Sequence, residues 1–181
     1  MSYTLNIAGL TRELPLCSVN ESLDIAAFIM FSDVELTVET SKALLAKCPE
    51  CDVILTAETK GIPLAYEMAR QSGADYAVAR KSVKLYMRNP VSVEVKSITT
   101  FNTQRLYLDD STVSLIKGRR VLLLDDVIST GASVSALMEL TKMASGTAVG
   151  IAAALAEGDA AKREDIIFLE KLPLFWHTDR S

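Results

Sequence analysis

Val121-Leu122-Leu123-Leu124-Asp125-Asp126-Val127-Ile128-Ser129-Thr130-Gly131-Ala132-Ser133 joins an apolar run to two carboxylates and a turn of small residues. Val121 to Leu124 shows no polar alternation, which predicts a strand covered on both faces. Val134, Leu137, Met138 and Leu140 then recur at helical spacing, so Ser133 opens a helix. Between strand and helix, the turn from Ser129 through Thr130, Gly131 and Ala132 to Ser133 can offer N–H groups and hydroxyls to a phosphate at the positive helix end. Asp125 and Asp126 would repel that phosphate. They suit the hydroxyls of a sugar instead, held as acceptors at the carboxyl end of a strand, where open α/β sheets place their ligands. The stretch reads as a site for a phosphorylated sugar.

The flanking sequence supplies the rest of such a sheet. Asp52 to Ala57 reads as a strand, Ile62 to Arg70 as a helix, and Tyr76 to Ala79 as a further strand, the alternation of a parallel α/β fold. The rhythm then changes to period two. Val91, Val93 and Val95 alternate with polar residues, as do Leu106 and Leu108, which predicts a half-exposed hairpin with a polar connection at 98–104. The parallel pattern resumes at Val121 and continues in Val149 to Leu155, with short strands at Ile166–Leu169 and Leu174–Trp176. Near the start, Tyr3, Leu5 and Ile7 mark a short strand before Leu14-Pro15-Leu16. Ser32-Asp33-Val34-Glu35 offers a capping box for a helix to about Lys47, with Val34, Val38, Leu44 and Leu45 on its buried side.

At 181 residues, with 49% hydrophobic and 23% charged residues, the chain reads as a single domain with a core of its own. No apolar run approaches the roughly 18 residues of a membrane span, and the first residues lack a secretory pattern, so a cytoplasmic protein is expected. A net charge of −4 argues against a general affinity for nucleic acid. Cys48-Pro49-Glu50-Cys51 resembles a redox or zinc pair, yet His177 is the sole histidine and the cysteines follow a helix instead of opening one. Reduced thiols are expected there.

The strand–AspAsp–Thr-Gly run resembles the phosphoribosyl pyrophosphate (PRPP) signature of the type I phosphoribosyltransferases. Two further segments fit that resemblance in order. Glu58-Thr59-Lys60-Gly61 is similar to the family's pyrophosphate loop, commonly Glu-x-Arg-Gly in adenine enzymes, with Lys60 where they carry arginine. Arg80-Lys81-Ser82-Val83-Lys84 resembles the Arg-Lys-x-x-Lys segment of adenine and xanthine enzymes, whose cations contact pyrophosphate, partly across a dimer interface. The resemblance implies the type I fold: a central parallel sheet flanked by helices, a flexible hairpin lid including Ser97, Thr99 and Thr100, and a small hood from about 1–33. The core would span about 34–155 and C-terminal strands about 156–181.

The activity implied is a purine phosphoribosyltransferase of purine salvage, working as a homodimer on PRPP and a base. Mg²⁺ arrives with PRPP, and no protein metal site is expected. Asp125 and Asp126 would hold the ribose and favour positive charge on its ring. Ser129, Thr130, Gly131, Ala132 and Ser133 would bind the 5′-phosphate, and Glu58, Thr59, Lys60, Gly61, Arg80, Lys81 and Lys84 the pyrophosphate. Phe28 and Met30 are candidates to cover the base, the alternative being that they belong to the core of an apolar helix. The Glu58 and Arg80-Lys81 motifs favour adenine. Ser97-Ile98-Thr99 resembles the xanthine branch, so a xanthine or other oxopurine enzyme is an alternative. Glu58 to Tyr66 also resembles the PRPP-binding part of a bacterial purine-operon repressor, which leaves a non-catalytic PRPP sensor as another. The segment ahead of Asp52 has no basic recognition helix, against the DNA-binding form of that reading.

Overall fold

The computed structural model describes residues 1–95 and 104–177. The chain begins as an antiparallel meander of β1 (Ser2–Ile7), β2 (Leu10–Asn20) and β3 (Leu23–Ala26). Leu5 and Ile7 point into the core while Thr4 and Asn6 face solvent, the period-two pattern of a sheet with one wet face. β2 is longer than the sequence implies and runs through Leu14-Pro15-Leu16. Pro15 lacks an N–H but still offers its carbonyl, which accepts from the Ala27 amide at 2.9 Å.

The first helix, α1 (Val34–Leu45), is capped by Asp33, whose carboxylate accepts from the Leu36 amide at 3.0 Å. The cap expected at Ser32 therefore lies one residue later. Glu35 does not close a capping box; it accepts from Arg12 at 2.7 Å, which also clamps Asp33 and ties β2 to the helix start. The buried side is Leu36, Thr37, Thr40, Ser41 and Leu44, whereas Val34 is exposed. Small hydroxyl residues line the helix where it packs closely on its neighbours, and counting only apolar residues overlooks them.

Then follow β4 (Val53–Ala57), α2 (Ile62–Ser72), β5 (Asp75–Ala79), the hairpin of β6 (Val91–Val95) and β7 (Gln104–Leu108), and α3 (Asp110–Ile116). β8 (Arg120–Ile128), α4 (Ala132–Met143), β9 (Thr147–Glu157), a 3-10 turn (Gly158–Lys162), β10 (Ile167–Leu172) and β11 (Leu174–Trp176) complete the chain. α3 is absent from the sequence reading: it is short, and its cap, Asp109 accepting from the Thr112 amide, follows directly on the hairpin.

β10-β9-β8-β4-β5 form a parallel five-stranded sheet. Successive residues of its strands feed opposite sides. Val53, Leu55, Val121 and Leu123 pack with α4, α3 and the hairpin, while Ile54, Leu122 and Leu124 pack with α1, α2 and the meander. Double-sided burial is why these strands read as unbroken apolar runs. From β4 the chain moves outward to β5, then returns to the other side of β4 as β8 and continues away through β9 and β10. The reversal opens a crevice between the carboxyl ends of β4 and β8, the place where such sheets bind ligands.

The two C-terminal strands separate. β10 extends the central sheet, and β11 leaves it to pair antiparallel with β3, so the hood is a four-stranded sheet closed by the chain's own end. Cys17, Cys48 and Cys51 are free thiols, and burial pushes the Cys48 thiol up to about 11. Among the described residues no helix is long and apolar enough to cross a membrane.

Candidate functional site

β8 does not stop at the carboxylates but carries them within its ladder, with Asp125 opposite Ala153 and Val127 opposite Leu155 on β9. Asp126 is only 3% exposed. Asp125 turns back on the chain, its Oδ1 accepting from the Asp126 amide at 3.0 Å. Burial raises the Asp125 carboxyl above the ordinary aspartate range, and the neighbouring Asp126 carboxylate adds to the rise, with Lys60 opposing it. The Lys60 ammonium lies 2.9 Å from Asp126 Oδ2. That approach is off the line of a good hydrogen bond, so Oδ2 is buried without an aligned donor. A polar atom held this way at the mouth of a cleft is ready to accept from a ligand hydroxyl.

Lys60 belongs to the loop between β4 and α2, across the crevice. A Cβ on Gly61 would strike the hydroxyl of the buried Thr56 on β4, while the Asp125 Cα on β8, 3.6 Å away, would be in ordinary contact, so glycine lets this loop close over Thr56. Pro63 then occupies the first turn of α2, where a missing N–H costs nothing. Glu58 faces the other way. Its carboxylate accepts from the Lys81 amide at 3.0 Å and lies 3.3 Å from Arg80 Nε. The Lys81 amide holds that carboxyl below its usual range, with Arg80 and Lys84 reinforcing it. Glu58 therefore anchors the basic segment; an acidic group so placed would repel a diphosphate.

Arg80 also exchanges two backbone hydrogen bonds with Tyr107, at 2.9 and 2.8 Å, tying the basic run to the hairpin strand β7. Lys81 is exposed, and Lys84 donates to Ser82 Oγ at 2.7 Å. Lys60 is thus the cation brought onto the acidic pair, while the Arg80–Lys84 segment stands beside it. Ser97, Thr99 and Thr100 of the expected lid lie outside the described residues.

At the other end of the aspartates, Gly131 takes a left-handed φ of 77° and caps α4 without any side-chain hydrogen bond. Thr130 Oγ1 lies 3.4 Å from the Ala132 amide. Ser129 and Thr130 are exposed, Ala132 and Ser133 half-buried. The first turn of α4 thus carries N–H groups with no side-chain cap.

Phe28 and Met30, the expected base cover, are each 2% exposed and packed in the apolar cluster around α1 and the hood. They lie in an irregular segment after β3, not in a helix; both are buried, and Met30 also lines a small cavity with Phe31, Pro63 and Tyr66. A different surface overhangs the crevice. Leu174 pairs with Ile25 and Trp176 with Leu23, so these four share one face of the hood sheet. Leu174 is in contact with Gly158, where β9 ends, which sets that face above the carboxyl end of the central sheet. Trp176 is 65% exposed. Glu157, at the end of β9, is raised by burial and opposed by Lys60. These residues escape a sequence reading because β3 and β11 are far apart in the chain and meet only through the fold.

The family description "Phosphoribosyl transferase domain" matches residues 37–176. The adenine phosphoribosyltransferase of Rhodococcus jostii is 34% identical over 146 residues, spanning 80% of this chain and 78% of that one. The hypoxanthine/guanine phosphoribosyltransferase of Methanotorris igneus is 35% identical over 112 residues, spanning 61% and 57%. In structure, the adenine phosphoribosyltransferase of Thermoanaerobacter pseudethanolicus superposes with a TM-score of 0.73 at 21% identity, over 87% of this chain and 95% of that one. An acidic pair on the strand before an open helix end, on a sheet that reverses at that point, and a match over most of the length lead to one conclusion: the chain belongs to the phosphoribosyltransferases, transferase enzymes of the type I fold.

Proposed function

We propose that the protein transfers the phosphoribosyl group of Mg²⁺-PRPP to a purine base, adenine in the first place, releasing pyrophosphate and a nucleoside monophosphate. The observation that carries this reading is the juxtaposition of buried Asp125 and Asp126, Lys60 at 2.9 Å, and the uncapped amino terminus of α4. Sugar acceptors, a cation and phosphate donors stand in the order that PRPP presents hydroxyls, diphosphate and 5′-phosphate.

In this reading the amides of α4 and the hydroxyls of Thr130 and Ser133 hold the 5′-phosphate. Asp125 and Asp126 accept from the ribose 2′- and 3′-hydroxyls. Their negative charge favours the positive charge that grows on the ring as the bond from C1′ to pyrophosphate stretches. Lys60 moves from Asp126 to the diphosphate, joined by Arg80, Lys81 and Lys84, the last two reaching a partner's site in a homodimer. Exposed Phe31, Val34, Tyr66 and Tyr76 give that dimer an apolar face. Magnesium carried in with PRPP would supply further positive charge at the diphosphate, beside Lys60, Arg80, Lys81 and Lys84. Asp126 Oδ2, buried and held only by the Lys60 ammonium with no aligned hydrogen bond, is free to accept from a ribose hydroxyl once Lys60 turns to the diphosphate.

The base lies beneath the hood, against Leu23, Ile25, Leu174 and Trp176, and its ring nitrogen attacks C1′ from the face opposite the leaving group. No enzyme nucleophile is needed; positioning supplies much of the rate. Adenine is favoured by the Rhodococcus relative's name and coverage. The Methanotorris relative supports hypoxanthine or guanine as the second choice. Turnover assays with each purine test the proposal: AMP formed from adenine and PRPP is expected, and PRPP binding without transfer to any base would refute it.

A further inference from the structure

Resting on the transfer reading above, we infer that Arg163 is a second ligand for the 5′-phosphate, aimed by Asp165, in addition to the amides of α4. The 3-10 turn after β9 ends at Lys162, and Arg163 follows it, its amide donating to the Ala160 carbonyl at 3.1 Å. Ala160 and Ile166 are buried on either side, so the short span carrying Arg163 is pinned at both ends. The guanidinium is gripped in a fork: Nε donates to Asp165 Oδ1 at 2.9 Å and Nη2 to Asp165 Oδ2 at 2.7 Å.

This bidentate grip fixes the plane of the group and leaves Nη1 pointing away from Asp165. Nη1 lies only 2.5 Å from where a Cβ on Gly131 would stand. A cationic nitrogen is therefore laid directly over the residue that caps α4. Any other residue at Gly131 would push the guanidinium off the loop, besides straining the backbone at φ 77°.

A surface pair with side chains 36% and 59% exposed contributes little stability by itself. Its consequence is orientation. An anion seated on the first-turn amides of α4 comes within reach of Nη1, and a phosphate dianion gains a charge-assisted hydrogen bond there. A sugar lacking the phosphate gains nothing from Arg163, so the residue discriminates phosphorylated ribose from ribose. Arg163 would touch substrate; Asp165 is a positioning residue that acts through it.

Titration of the full-length protein with ribose 5-phosphate, and separately with Mg²⁺-pyrophosphate, tests the inference in wild type, Arg163→Gln, Arg163→Lys and Asp165→Asn. Arg163→Gln is expected to weaken ribose 5-phosphate roughly 10- to 100-fold and to raise KM for PRPP in step, with kcat changed far less. Pyrophosphate affinity stays at the wild-type value. Arg163→Lys recovers part of the loss, and Asp165→Asn shows a smaller loss of the same kind. Unchanged ribose 5-phosphate affinity in Arg163→Gln overturns the inference, and so does an equal loss toward pyrophosphate, which marks a general disturbance of the fold. A wild type that transfers to no purine but binds ribose 5-phosphate through Arg163 would sink the transfer reading and leave this inference standing. Normal transfer with an indifferent Arg163 would do the reverse.

Discussion

Lys60 stands 2.9 Å from Asp126, where a related adenine enzyme would commonly place an arginine. A single ammonium can neutralise the acidic pair yet leave it for the diphosphate without breaking a fork of two hydrogen bonds. Lys60→Met is expected to raise KM for PRPP by roughly 10-fold or more and to lower stability, because it strands a buried carboxylate. A melting curve beside a PRPP titration checks both. Asp125 carries the opposite signature. Its folded-state pKa lies above the unfolded value because burial and Asp126 disfavour its charge. The ionised form therefore weighs against folding above that raised pKa, and the penalty fades as pH falls toward the ordinary aspartate range. Asp125→Asn is expected to raise Tm at pH 8 by about 2–4 °C, with the gain shrinking at pH 4, while turnover falls roughly 100-fold or more. A variant melting below wild type at pH 8 would contradict this account of the pair.

Gly61 shows how one residue sets an element. The loop from β4 to α2 closes over the buried Thr56 because no side chain intervenes, and the Cβ of Gly61→Ala would displace the Thr56 hydroxyl while meeting the Asp125 backbone at ordinary contact distance. PRPP affinity is expected to fall at least roughly 10-fold in Gly61→Ala, with an intact far-ultraviolet spectrum. Removing the α1 cap by Asp33→Ala costs about 1–2 kcal/mol, since the Leu36 amide and Arg12 both lose their acceptor. Chemical denaturation reads that loss directly.

These two loops also mark how far the sequence could be read. Asp125, Asp126, Lys60 and the Gly131 turn were legible because each sits within a few residues of an apolar run that declares its strand. The hood was not. Pro15 interrupts the apparent pattern of β2, residues 23–25 pair with 174–176 across almost the whole chain, and Phe28 and Met30 look like ligand-facing residues although they are buried. Glu157 is the last residue of β9 and Arg163 follows the 3-10 turn beyond it, and each meets its neighbour at the site, Lys60 or Gly131, only through the fold. Spacing along the chain carries no trace of such contacts.

For the whole molecule, the pairing of β11 with β3 makes the C-terminal segment part of the cover over the crevice. Trp176→Ala is expected to raise KM for the base roughly 10-fold while leaving KM for PRPP within about twofold, because it removes an aromatic surface from one substrate only. Equal effects on both would argue that the hood shapes the sheet and does not cover the base. The open sheet, the reversal between β4 and β8 and the hood together frame the crevice that holds the aspartate pair.

The most direct test is pyrophosphate release from Mg²⁺-PRPP by the wild-type protein with adenine, hypoxanthine, guanine or xanthine, and with no base. The account predicts release that depends on a purine, is fastest with adenine and yields one AMP per pyrophosphate. Release that ignores the base, or PRPP bound tightly with no release at all, would contradict it.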